Sequence, residues 1–180
     1  LQPWVTVRDA IASVPPIDGR KGRNSLPDFN PLHKVPPLDD KKYTWVLNTP
    51  EGETAFNNQC VNPNCGYQGN QRHGAKKVSG INQACNDTPL YCEKCGALLP
   101  RPYVEDKDGT LRLMKGFVSA YKRMRWDEPA STLTQNFQFA CSDNKLHPSQ
   151  HRVLSIYEAL ILQSITNYPY SFVVDGKMVR

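Results

Sequence analysis

The sequence predicts an α+β chain, mostly short strands and loops, with a four-cysteine module inserted near its middle and a C-terminal helix followed by a hairpin. Three observations carry this. The 15 prolines and 11 glycines among 180 residues keep regular elements short without the composition of full disorder. Five of the six cysteines fall between residues 57 and 100, a stretch rich in Asn, Gly and Gln and poor in large apolar groups. Beyond residue 100, short β-rich runs flank turn residues, and one apolar run continues unbroken for a helix's length. The expected divisions are residues 1–56, with a helix, a connector and a strand; 57–100, the cysteine module; and 101–180, strands, helix and hairpin.

The elements follow in order. Thr6-Val-Arg-Asp9 has the form of a capping box, and Pro15-Pro16 ends the short helix that it opens. From Gly19 to Asp40 the chain is polar and broken by prolines, an extended connector with Arg20, Lys21 and Arg23 on its leading edge. The β-branched and aromatic run Tyr43-Thr-Trp-Val-Leu47 predicts a strand. Two hairpins are expected, one around Asp106-Lys-Asp-Gly109 and one around Asp175-Gly176. Between them Ser155-Ile-Tyr-Glu158 is a second capping box, opening a helix over 156–166 with no breaker until Pro169. That helix is apolar nearly all round, more than a surface helix needs, so part of it reads as an interface.

Cys60-Val-Asn-Pro-Asn-Cys65-Gly and Cys92-Glu-Lys-Cys95-Gly are two closely spaced pairs, each followed by glycine. Such turns can aim two thiolates each at one ion, and four thiolates complete a tetrahedral zinc site with no open position, so its role is structural. Disulfides are the competing explanation, but nothing else in the sequence points to secretion. Cys85 lies outside the knuckle rhythm and reads as a free buried thiol, His73 as a weaker substitute ligand, and Cys141 as a buried strand residue.

Lys and Arg (22) exceed Asp and Glu (17) by 5, which permits a polyanionic partner without demanding one. No run approaches the roughly 18 apolar residues of a membrane span, and the N-terminus lacks a signal pattern, so a cytoplasmic protein is expected. With no initiator Met and an end just past an expected strand, both termini read as cuts.

Arg123, Trp126, Pro129, Thr132 and Thr134 in RMRWDEPASTLT, followed by His147-Pro148, Arg152, Leu154-Ser155, Glu158-Ala159 and Gln163, resemble the C-terminal motifs of DNA (cytosine-5) methyltransferases. The leading VTVRDAIASVPPI is similar to the segment just past that family's catalytic half. The resemblance frames residues 4 to 174; the middle, with the cysteines, matches nothing common to the family. It departs at Tyr157, where the family usually has Arg, and at Ile165-Thr166-Asn167, where it has Phe-Pro-Asp. The glycine-rich cofactor loop and the Pro-Cys nucleophile are absent from this sequence.

The resemblance implies a fragment, inactive alone: a small, mostly β target-recognition domain, into which the cysteine spacing sets the zinc ribbon. In the complete enzyme a cysteine thiolate attacks a flipped-out cytosine, and S-adenosylmethionine supplies the methyl group. The partners implied are double-stranded DNA and a catalytic methyltransferase domain or subunit, in a bacterial or phage-type restriction-modification setting near the nucleoid. Arg123, Arg125, Thr132 and Thr134 would hold the DNA backbone, Thr132 beside the flipped nucleotide. Without the resemblance, the arginines read as a solvated strand face and the threonines as β-propensity. Base reading is expected from Asn70, Gln71, Arg72, His73, Lys76 and Lys77 between the cysteine pairs, against the alternative of a solvated loop tip. His147 is read as structural, capping a turn. The competing function is a free-standing zinc-ribbon adaptor for RNA or protein, not an enzyme.

Overall fold

The computed structural model describes residues 4–73, 76–79, 81–83, 88–166, 173–174 and 177–178. Helix α1 spans Val7–Ile11, α2 Asp40–Leu47 and α3 Ile156–Leu162; a 3-10 turn covers Ala55–Asn57. Three antiparallel pairs complete the described elements: β1 (Lys76–Val78) with β2 (Ile81–Gln83), β3 (Tyr103–Glu105) with β4 (Leu111–Leu113), and β5 (Val173–Val174) with β6 (Lys177–Met178). No described strand exceeds three residues, so turns and loops rather than sheets carry the architecture.

Both capping boxes form. The Thr6 side chain accepts from the Asp9 backbone N–H while the Asp9 carboxylate accepts from that of Thr6, and Ser155 and Glu158 do the same for α3. Both expected hairpins are present as paired strands, with Tyr103 opposite Leu113 and Val173 opposite Met178; the 175–176 loop lies outside the described residues.

Four expectations are corrected. Residues 43–47 belong to α2, not a strand: the Asp39 side chain accepts from the Lys42 N–H, and the helix buries Tyr43, Trp45 and Val46 on one face. Cap and burial outweigh local β-propensity, as tertiary context commonly does. Helix α3 stops at Leu162, where Ser164 enters the left-handed region at φ 58°. Its N–H bonds to the Ile161 carbonyl, and the Ile165 N–H to that of Leu160, so the chain closes a Schellman turn before Pro169 is reached. Arg123 makes only an isolated bridge, to Leu146, instead of sitting in a strand. Cys141 is exposed in a turn, not buried. Cys85 and Asn167 lie outside the described residues.

One core cluster joins Ile17, Val35, Trp45, Val46, Phe56, Tyr121, Leu146 and Val153, bringing the connector, α2 and the 120–153 region together. A second packs α1 (Val7, Ile11) on Met124 and Leu154, with Trp126, Leu133 and Tyr157 against it. A fully buried ion pair joins the loop at 152 to α3. Arg152 donates to both Glu158 oxygens at 2.6 Å, and Glu158 also accepts from the Ser155 N–H. No helix of the described residues is long and apolar enough to cross a membrane.

Candidate metal centre and nucleic-acid interface

The two cysteine knuckles fold against each other. In the first, the Asn62 carbonyl accepts the N–H groups of Cys65 and Gly66, and in the second the Cys92 carbonyl accepts that of Gly96. Gly66 (φ 55°) and Gly96 (φ 69°) take the left-handed conformation that this reversal requires, which is why glycine follows each pair. The sulfurs of Cys60, Cys65, Cys92 and Cys95 all lie within 4.8 Å of one another. Cys60 Sγ sits 3.7 Å from Cys95 Sγ, and Cys65 Sγ 4.0 Å from Cys92 Sγ. Tetrahedral Zn–S bonds of about 2.3 Å would set the sulfurs roughly 3.8 Å apart. Disulfide sulfurs would be about 2.05 Å apart. The cluster can therefore hold a metal as it stands.

The thiols are electrostatically unequal. Burial pushes the Cys92 thiol up, but the backbone N–H groups of Cys95 and Lys94, together with the Cys60 and Cys95 side chains, outweigh it and bring it down to about 6. At Cys65 the Tyr67 backbone lowers the thiol, yet burial and the other three cysteines push it up to about 11. Leu99 and Tyr67 pack over the sulfurs. Among the described residues only a small apolar core forms around them, too little to hold two knuckles by itself, so a bound metal would supply folding energy here. We expect a chelator to unfold the 57–100 region, read as loss of amide-exchange protection at Cys60, Cys65, Cys92 and Gly96. Equal protection with and without chelator would exclude a metal-dependent module.

The expected base-reading residues divide. The Asn70 side chain is buried, donating to Gln59 Oε1 and the Tyr67 carbonyl and accepting from the Glu93 N–H. His73 is buried too: its ring stacks on Phe56 at 4.6 Å between centroids, and its nitrogens meet Thr88 Oγ1 and the Gly116 carbonyl. Asn70 ties the two knuckles to each other within the module, and His73 holds the module to Phe56 and Gly116 outside it, against the expectation that they face a base; His73 is likewise spent for a metal. Gln71 and Arg72 are exposed, Arg72 reaching Glu53 at 3.4 Å. Lys76 and Lys77 are in β1.

The expected backbone clamp divides as well. Thr132 and Thr134 are exposed while Leu133 between them packs against the α1 cluster, so the extended alternation sets both hydroxyls outward. Lys145 Nζ donates to Ser131 Oγ, which donates to the Asn144 carbonyl, fixing the residue just before Thr132. Arg125 is exposed and pairs loosely with Glu128. Its guanidinium lies so close to Gly52 that a Cβ there would come within 2.6 Å, and Gly52 has φ 72°.

Arg123 is a correction. It is 2% exposed, and its guanidinium donates to the carbonyls of Val46, Thr49, His147 and Gln150 and to His151 Nδ1. No donor remains for a phosphate. It holds the 147–151 turn against α2 instead. His147 has the structural role expected of it, with Nδ1 accepting the N–H groups of Ser149 and Gln150. The Arg152–Glu158 pair had no role in the sequence reading, although the capping-box Glu six residues after an Arg was its available sign.

No protein-family model matches this chain. It is 25% identical over 170 residues, 89% of its length, to the Type II methyltransferase M1.HgaI of Avibacterium volantium, of which it covers 34%. Over 66 residues, 37% of the chain, it is 35% identical to the Type II methyltransferase M.AgeI of Thalassovita gelatinovora, covering 14% of that protein. The chain thus spans about a third or less of the relatives it matches, and these similarities support a relationship to DNA methyltransferases.

Proposed function

We propose that this chain is the DNA-binding, target-recognition part of a DNA (cytosine-5) methyltransferase of restriction-modification type, acting in the cytoplasm on double-stranded DNA. The carrying observation is the motif order from Arg123 to Gln163, joined to the similarity with two Type II methyltransferases. The catalytic nucleophile and the S-adenosylmethionine site belong to a catalytic half, on the same chain or a partner, and this chain alone transfers no methyl group. The half-buried apolar residues Leu160, Ile161 and Leu162 of α3 are a surface for that half.

The four-cysteine site binds zinc and fixes the loops that precede and follow it. The divisions 1–56, 57–100 and 101–180 then have distinct tasks: entry helix and connector, ribbon, and DNA-facing segment with the returning helix. Thr132, Thr134 and Arg125 contact the DNA backbone, and Gln71, Arg72, Lys76 and Lys77 face the bases.

Fluorescence anisotropy with labelled duplexes of varied sequence tests this reading. Affinity should fall with added salt. Thr132→Ala and Arg125→Ala should weaken binding about equally for every duplex, Arg125→Ala also lowering the salt slope by about 1, whereas Arg72→Ala should change the order of preference. A folded, metal-loaded chain that binds no duplex at low salt would exclude the reading and favour an adaptor for other partners.

A further inference from the structure

The connector's basic turn and the turn that Arg123 holds meet in a cleft. A cavity of about 490 Å³ is lined by Pro16, Ile17, Asp18, Arg23, Ser149, Gln150 and His151. The two turns dock directly: a Cβ at Gly19 would lie 2.4 Å from the His151 carbonyl oxygen, so only glycine permits this approach. The first turn is closed by the Asp18 N–H on the Arg23 carbonyl and the Arg23 N–H on that of Arg20. Leu38 donates to the Gly19 carbonyl, anchoring the turn to the start of α2.

The cleft is rich in donors, and each oxygen of its one acid already accepts a hydrogen bond. Asp18 accepts from the Arg20 N–H through one oxygen and from the Tyr43 hydroxyl through the other. Arg20 lies over the Tyr43 ring at 4.3 Å. Among the described residues neither Arg20 nor Arg23 is ion-paired, and both are exposed. Because Arg123 can only donate, its bond to His151 Nδ1 leaves the neutral ring's proton on Nε2, as a further donor. Gln150 Oε1 accepts from the Ile17 N–H and Arg152 Nε, so its remaining side-chain capacity is its two N–H donors. The Ser149 hydroxyl is exposed beside them.

We infer that this cleft binds a phosphate group, held by the Arg23 guanidinium with Arg20 nearby and by the 149–151 donors, and that its occupant is a backbone phosphate of duplex DNA. A guanidinium fork matches two phosphate oxygens, and a neutral imidazole N–H with a hydroxyl can serve a third. The choice of DNA rests on the function proposed above. It adds to that reading a contact remote in sequence from Thr132, on residues 18–23, and it gives Arg123 its part as a positioning residue: it does not touch the phosphate but orients His151.

Two measurements on the whole chain test it. In NMR titrations, inorganic phosphate should shift the His151 ring signals saturably, and Arg23→Gln should weaken this at least fivefold without changing the melting temperature. In anisotropy, Arg23→Gln should weaken every duplex by about five- to tenfold and lower the salt slope by about 1. Absence of a saturable phosphate shift, with wild-type duplex binding by Arg23→Gln, overturns the site. Phosphate binding with unchanged duplex affinity in Arg23→Gln overturns DNA as the occupant. Phosphate binding by a chain that takes no duplex at all upholds the anion site and removes the DNA-binding reading instead.

Discussion

Glu158→Gln should lower the unfolding free energy by about 3–5 kcal/mol, because it removes one partner of a fully buried charge pair and leaves the other in place. Both side chains are 0% exposed. Glu158 meets Arg152 through both oxygens and completes the cap of α3, while Arg152 also donates to the carbonyls of Ile17 and Val153. With glutamine at 158 the guanidinium stays charged and dehydrated, facing an amide that offers only one acceptor oxygen. Urea unfolding followed by tryptophan fluorescence measures the loss, Trp126 standing edge-on to His147 in the same region. The double change Arg152→Met with Glu158→Leu should recover much of the stability, since an apolar pair has no charge to bury. A Glu158→Gln loss below about 1 kcal/mol would mean the pair is open to water.

Acid should act on the same spot. Burial raises the Glu158 carboxyl, but the Arg152 bonds and charge, with the Ser155 N–H, outweigh it and hold the carboxyl below its usual range. Its contribution is therefore fully present above the unfolded value of about 4.5 and is lost as pH falls below it. Burial, then Arg152, pushes His147 down to about 3, so it stays neutral when folded and becomes charged near pH 6.5 when unfolded. Its share of the loss begins at the higher pH. Stability should decline from about pH 6.5 downward and more steeply below about 4.5.

What could be read from the sequence was local. Capping boxes need four consecutive residues, a hairpin a turn with short flanks, and a metal knuckle two cysteines and a glycine; all of these are found where the sequence places them. The failures needed distant partners. Tyr43-Thr-Trp-Val-Leu47 is helical because a face of it packs into a core built from residues 17 to 153, which no local pattern contains. Asn70 and His73 look like loop-tip side chains until Gln59, Phe56 and Gly116 close around them. Around Thr132 a local pattern does persist: Thr132 and Thr134 are exposed and Leu133 between them packs inward.

Arg123 is the sharpest of these cases, and a buried arginine differs from a phosphate clamp in a measurable way. Its motif position implies contact with DNA, but it is surrounded by carbonyls with no carboxylate in ion-pair range among the described residues, and burial brings its guanidinium down to about 10. Arg123→Met should destabilise the chain by about 2–4 kcal/mol. The Thr49 and His147 carbonyls lose the donor it supplies, each orphaned acceptor costing roughly 1–3 kcal/mol, offset in part by removing a buried charge. Val46 and Gln150 keep other donors, Thr49 N–H and Arg152 N–H. Arg123→Lys should not restore stability, since one ammonium cannot span acceptors on both α2 and the 147–151 turn. At a temperature where the variant stays folded, its duplex affinity should drop through the displaced His151 turn, yet the slope against log salt should stay at the wild-type value. Counterion release follows the phosphates neutralised, and Arg123 neutralises none in this geometry. A stable Arg123 variant that loses one unit of that slope would return it to the DNA backbone and overturn its assignment as a positioning residue.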